Sequence, residues 1–317
     1  MSQPVTRIRD IAYVRFGVPD LDRMETYLTD FGMVRSARTD DALYMRGTCR
    51  SHHIHISEKR ETASLLAIGF LAASASDLEA LAKVDGASPV HETDEPGGGH
   101  RVVLRDPWGT RVELVHGIQE VAPLVPGEFG GFNFGPRVER KCAVKRVGRR
   151  PAQVMRLGHA GMNVADPDAA YEWYHRHFGI LKSDTIAVGD FTLAHFTRCD
   201  RGTEPTDHHT FLLARAMDGQ TSFNHCSFEV TGLDEIWVGN EHLAQKGYRH
   251  SWGVGRHTLG SQIFDYWRDP WGQIHEHFTD GDLLDTSHVT GVHSIEEGGS
   301  QWGPEMPPDF GQTIPPA

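Results

Sequence analysis

"DPWGTRVELVHG" (residues 106–117) returns in altered form as "DPWGQIHEHFTDG" (269–281), and reading the two as copies of one unit decides the fold. Each is an Asp-Pro-Trp-Gly turn running into a strand, with a glutamate seven residues after the Asp, Glu113 in one and Glu276 in the other. Upstream, "FGVPDLDRMETYLTDFGM" (16–33) resembles "NVADPDAAYEWYHRHFGI" (163–180). Both read as a strand end, an Asp-capped helix and a Phe-Gly stop. Likeness over such a span means duplicated supersecondary units, hence two similar domains.

Within each half the plan of one strand, one helix and further strands is traceable twice. The first half gives strands near 9–16, 42–46, 51–57, 63–73, 101–105 and 110–116, with helices near 20–31 and 76–83. The second gives strands near 154–164, 191–197, 208–214, 223–231, 261–267 and 273–278, with helices near 167–178 and 234–246. The expected class is α+β: two tandem domains, each of paired βαβββ modules forming a barrel-like sheet. The expected bounds are 1–117 and 154–282, with a Gly/Pro-rich and then basic linker at 118–153 and an irregular tail at 283–317. Trp302, Met306 and Phe310 predict that the tail packs on something, as a lid or, preferentially, as a subunit contact.

At 317 residues the chain has room for two ordinary cores. A formal charge of −12 argues against nucleic acid as a partner. No apolar run reaches the roughly 20 residues of a membrane helix. The N-terminus lacks a signal-peptide pattern, so no membrane partner and a cytoplasmic location are expected. Cys49, Cys142, Cys199 and Cys226 form no CxxC pair, which speaks against a zinc–thiolate site.

The 20 histidines are the unusual feature. His159 lies on the first strand of one second-half module, His225 on the first strand of the next, and Glu276 on the last strand of that module. If the two modules close around a hollow, strand alternation can aim all three inward. Two imidazoles and a carboxylate are the facial triad of non-haem Fe(II) oxygenases. Aligning the halves puts Tyr13 opposite His159, leaves the strand around Ile68 without a histidine, and matches Glu113 to Glu276. The first half therefore reads as a metal-free copy. Trp252 is expected to line the pocket wall from a loop at 250–257, with His195 a second candidate facing the substrate.

"GRHTLGSQIFDYWRDPWGQIHEHFTDGD" (255–282) resembles the signature of the type I extradiol ring-cleavage dioxygenases, in the vicinal oxygen chelate superfamily. The resemblance spans roughly 7–282, with the motif confined to the second half. Asp265 departs from it, an apolar residue being usual before the tyrosine. The resemblance implies catalytic roles for His257 and Tyr266 on substrate oxygens. For His209 in "TDHHTFLL" (206–213) it implies a role beside bound oxygen, with His208 the less fitting member of that pair. A similar pair in "SHHIHIS" (51–57) leaves room for inheritance with the fold. The implied activity is meta cleavage of a catechol with Fe(II), or Mn(II), and O2 as co-substrate, in aromatic catabolism by a homo-oligomer. A neutral substituted catechol is favoured. The competing readings are a glyoxalase-like isomerase and a metal-free binding or resistance protein.

Overall fold

The computed structural model describes residues 3–125 and 131–315. The first half runs β1 (Ile8–Val18), α1 (Leu21–Phe31), β2 (Val34–Arg38), β3 (Ala42–Arg46), β4 (His55–Lys59), β5 (Ser64–Ala72), α2 (Ala75–Leu81), β6 (His91–Glu92), β7 (His100–Arg105) and β8 (Arg111–His116). These strands form one sheet in the order β2-β3-β4-β1-β5-β8-β7-β6. In each module the last strand lies parallel to the first, and the antiparallel pair β1–β5 joins the modules.

The second half repeats this with β9 (Val154–Val164), α3 (Pro167–Phe178), β10 (Leu181–Val188), β11 (Phe191–Arg198), β12 (Thr206–Asp207) and β13 (Phe211–Arg215). Its second module is β14 (Ser222–Val230), α4 (Leu233–Gln245), β15 (Arg249–His257), β16 (Ile263–Arg268) and β17 (Ile274–Thr279). The tail adds β18 (Leu283–Leu284), β19 (Gly291–His293) and β20 (Ser300–Trp302). The sheet order is β19-β10-β11-β13-β9-β14-β17-β16-β15-β20, with β12 paired to β18.

The capped helices form as their ends dictate. Asp20 accepts a hydrogen bond from the Arg23 amide, and Gly32 ends α1 at φ 110°. A Cβ on Gly32 would also lie 2.1 Å from the Ala152 carbonyl, so its conformation and the approach of the second half both demand glycine. Asp166 caps α3 ahead of Pro167, and Gly179 stops it at φ 69°.

Among strands of five residues or more, three escaped the sequence pattern: β2, β10 and β15. β2 reads "VRSAR", partly to fully exposed throughout, and an edge strand facing water shows no alternation. The segment at 250–257 is mostly strand β15, not the expected loop. The tail is not simply irregular: β19 and β20 extend opposite edges of the second sheet, and the chain between them passes across its open side. None of the helices among the described residues is long and apolar enough to cross a membrane.

One buried cluster runs through both halves, from Phe16 and Phe31 to Phe211 and Phe228. On β17 the outward neighbours of Glu276 serve this interface. His277 Nε2 donates to the Phe31 carbonyl at 2.7 Å, and His275 meets His55 at 3.3 Å. Asp30 on α1 accepts from His242 Nε2 at 2.9 Å and Tyr248 OH at 3.0 Å, with Lys246 Nζ at 3.2 Å. Burial alone would raise the Asp30 carboxyl, but these donors hold it below its ordinary value. A folded pKa below the unfolded one contributes stability that is present above the unfolded value of about 3.9 and lost as pH falls through the folded one. Asp30→Asn is therefore expected to cost roughly 1.5–3 kcal/mol at neutral pH, with the gap to wild type closing in acid. Urea titrations of both proteins from pH 7 to pH 3 measure this.

Candidate metal centre

β9 and β14 pair antiparallel with Ser227 opposite His159, and β14 and β17 pair parallel with Ser227 opposite Glu276. This register brings the two histidines and the glutamate together on the hollow side of three adjacent strands. His159 Nε2 lies 3.0 Å from His225 Nε2 and 3.2 Å from Glu276 Oε2, and His225 Nε2 lies 3.7 Å from the same oxygen. All three side chains are buried, with ligand atoms within 4.8 Å of one another. Ligand atoms about 3 Å apart are what adjacent positions around one ion require at bond lengths of about 2.1 Å.

The electrostatics also fit an ion. Burial pushes the imidazoles of His159 and His225 down to about 3, leaving them neutral with lone pairs to give. Burial pushes Glu276 up to about 7, against the opposing pull of His225, Ser227 and Tyr266, and neither carboxylate oxygen makes a hydrogen bond of good geometry among the described residues. A divalent cation supplies the missing counter-charge. His225 Nδ1 donates to Asn224 Oδ1 at 2.7 Å, and Asn224 Nδ2 donates to Asn163 Oδ1 at 2.6 Å. That clamp fixes the His225 tautomer with Nε2 bare. Sequence reasoning did not find Asn224, because strand neighbours normally face opposite sides. A bulge between Phe223 and His225 turns both Asn224 and His225 toward the cavity.

His225 opens onto a cavity of about 870 Å³. His209, His257, Tyr266 and Trp252 all line it. The His209 ring packs 4.0 Å from that of His159. His257 Nε2 and the Tyr266 hydroxyl are 2.9 Å apart, and Trp252 lies nearly parallel to Tyr266 at 5.5 Å. Burial pushes His257 down to about 3 and Tyr266 well above its ordinary value.

His195 is a correction. Its neighbours Ala194 and Phe196 line the cavity, while His195 faces α3, with Nε2 2.8 Å from Asp168 Oδ1 and Nδ1 2.9 Å from Thr185 Oγ1. It holds the helix against the sheet. The tail contributes Ile295, Gly298, Met306, Pro308 and Phe310 to the cavity wall. Asp265 is accommodated on its own face of β16, accepting from His250 Nε2 at 2.7 Å and Trp267 Nε1 at 2.6 Å.

In the first half Gly69 pairs with Tyr13 and with Glu113, just as Ser227 pairs with His159 and Glu276. Ala67 opposes Arg15 where His225 opposes Gly161. A Cβ on Gly161 would come within 3.2 Å of the His225 ring, so the glycine makes room for the imidazole. In the first half the small residue sits on the other strand, and the Arg15 guanidinium reaches Glu113 at 3.4 Å and Glu95 at 2.7 Å. Arg101 and Tyr13 also bond Glu113. Chain cations thus surround the glutamate of this copy, where the second half leaves its glutamate facing two histidines.

Metapyrocatechase 2 of Cupriavidus necator is 28% identical to this chain, over 98% of it and 93% of the relative. A Mn(II)-bound glyoxalase from Novosphingobium aromaticivorans superposes with a TM-score of 0.76 at 21% identity, covering 98% of this chain and 99% of the other. An extradiol ring-cleaving dioxygenase from B. fuscum superposes with a TM-score of 0.79 at 18% identity, covering 99% and 84%. The model of the Glyoxalase/Bleomycin resistance protein/Dioxygenase superfamily matches residues 10–114 and 156–276, both duplicated halves, and the chain belongs to that superfamily.

Proposed function

We propose that this protein is an extradiol dioxygenase that opens a catechol ring beside its two hydroxyls, using O2 and a divalent metal, Fe(II) ahead of Mn(II). The observation that carries this reading is the buried His159–His225–Glu276 set, which opens through His225 onto a cavity also lined by His209, His257 and Tyr266. The relative called a metapyrocatechase supports the same chemistry. His159, His225 and Glu276 would hold the ion, which when bound would supply Lewis acidity and open positions for the substrate's vicinal oxygens and for O2.

The chain's own residues do the rest. His257 and Tyr266, already bonded to each other, orient the substrate hydroxyls and give the second hydroxyl proton an acceptor at His257 Nε2. His209 is neutral, because burial holds it well below its ordinary value, and exchanges a proton with the reacting oxygens from across the cavity. Trp252 and Phe310, with ring centroids 4.9 Å apart, form an aromatic wall that excludes water.

The same wall supports a neutral substrate with an apolar substituent. The cation Arg215 lines the cavity, but its Nε donates to the Thr192 carbonyl at 2.5 Å and its Nη1 to the Ala165 carbonyl at 2.8 Å. A carboxylated ring would find no free positive partner among the described lining residues. The glyoxalase alternative makes no use of the His257–Tyr266 pair. Cytoplasmic residence and a homo-oligomer complete the proposal, the latter resting on the resemblance and measurable by sedimentation equilibrium.

Oxygen uptake by anaerobically Fe(II)-loaded protein tests the reading against 3- and 4-substituted catechols. Yellow ring-opened products are expected, with alkyl and aryl catechols at least about tenfold ahead of carboxylated ones in kcat/KM, the penalty of burying an unpaired charge being worth more than about 1.4 kcal/mol. No uptake with any catechol at stoichiometric iron sinks the proposal.

A further inference from the structure

His208 points away from the cavity, yet its Nδ1 lies 3.1 Å from Nδ1 of His209. Its Nε2 lies 2.7 Å from Asp184 Oδ2. The other oxygen of Asp184 accepts from His293 Nε2 at 2.8 Å, on tail strand β19, and from the Gly291 amide at 3.2 Å. We propose that Asp184 and His208 are positioning residues that hold His209 in the tautomer with its proton on Nδ1, so that a bare Nε2 faces the reacting oxygens.

An ionised carboxylate only accepts, so His208 Nε2 carries the hydrogen. A neutral His208 is then bare at Nδ1, which makes it an acceptor, and the contact with His209 requires the hydrogen on His209 Nδ1. His209 is left with an Nε2 lone pair on the cavity side, where it has no partner among the described residues. It begins as a base. The proton it takes from a substrate hydroxyl lands on Nε2, the O–H electron pair stays on oxygen, and the same proton is available for return later.

The duplicated half supplies an internal control. His52 and His53 repeat the contact, Nδ1 to Nδ1 at 3.0 Å, and His53 packs 5.3 Å from Tyr13 as His209 packs on His159. The histidine pair is thus inherited with the fold. What the first-half copy lacks, among the described residues, is the carboxylate: besides His53, His52 Nδ1 meets the Ser36 hydroxyl at 3.5 Å. The carboxylate stands where there is a reaction to serve. The charged and titratable groups facing this chain of contacts are His159, His225 and His257 around His209, and His293 and Arg198 around Asp184.

The inference rests on His209 being the proton-exchanging group, but its test needs no turnover. In the metal-free, full-length protein with 15N-labelled histidine at pH 8, the His209 signal (identified by its loss in His209→Gln) is expected in the Nδ1–H form. Asp184→Ala and His208→Phe are each expected to shift it toward Nε2–H, with Asp184→Glu restoring part of the wild-type signal. In the Fe(II)-loaded enzyme both variants should lose about tenfold or more in kcat, with KM changed less than about twofold and the pH profile displaced. A wild-type His209 found as Nε2–H or doubly protonated overturns the proposal. So does an unchanged tautomer in either folded variant. If wild type shows the expected tautomer but no catechol is turned over, the dioxygenase reading fails while the tautomer assignment stands.

Discussion

A His225→Ala protein is expected to lose essentially all ring-cleaving activity and to release iron to a competing chelator. Affinity should fall by more than the roughly 10–100-fold typical of losing an outer hydrogen bond to a metal ligand. Two ligands remain, His159 and Glu276, and they lie 3.2 Å apart, too few to hold an ion against solvent. Bound iron per chain after desalting and the residual oxygen uptake measure the loss. Glu276→Gln should share that loss but reveal something further about stability. In the metal-free protein burial disfavours the Glu276 carboxylate more than His225, Ser227 and Tyr266 favour it, so the neutral amide is expected to stabilise the apo fold by about 1 kcal/mol or more at pH 8. Added Fe(II) should raise the melting temperature of wild type and leave that of Glu276→Gln unmoved. An apo protein destabilised by the substitution would contradict this account of the carboxylate.

His209→Phe is expected to keep its iron and to lose about 10²–10⁴-fold in kcat, the range over which a positioned acid–base group acts. The ring packs 4.0 Å from that of His159, so phenylalanine preserves the contact while removing both nitrogens. Retained iron with collapsed kcat separates this outcome from that of the ligand variants. Loss of iron along with activity would make His209 a support for the metal site.

The ligand set was legible because three regularities converge on it: strand alternation, the duplicated motif, and a residue offset between halves that the register reproduces. Tyr13 does stand where His159 stands, each opposite its own glutamate across one strand. His195 shows where that reasoning ends. Alternation says that neighbours face opposite ways, but it needs one anchored residue to say which way, and β11 offered none. Asn224 was hidden by a bulge, and bulges leave no mark in composition. β15 was disguised by Gly253 and Gly255, which read as loop. Gly255 is needed there because a Cβ would strike the Phe264 ring at 2.5 Å. The tail's place along the cavity wall depends on distant strand edges, which no local pattern encodes.

Arg15 has a consequence for how the molecule meets scarcity. Both halves bury a glutamate in the same position, and each must be given a positive neighbour. On the proposed function, one half borrows an ion that has to be acquired and can be stripped away. The other carries its cation on the polypeptide, delivered with translation and impossible to chelate. The borrowed ion offers vacant positions to a substrate, and the tethered one offers none. When no ion is at hand, the buried glutamate beside Arg15 still has its counter-charge. Only the half that does the work is left waiting.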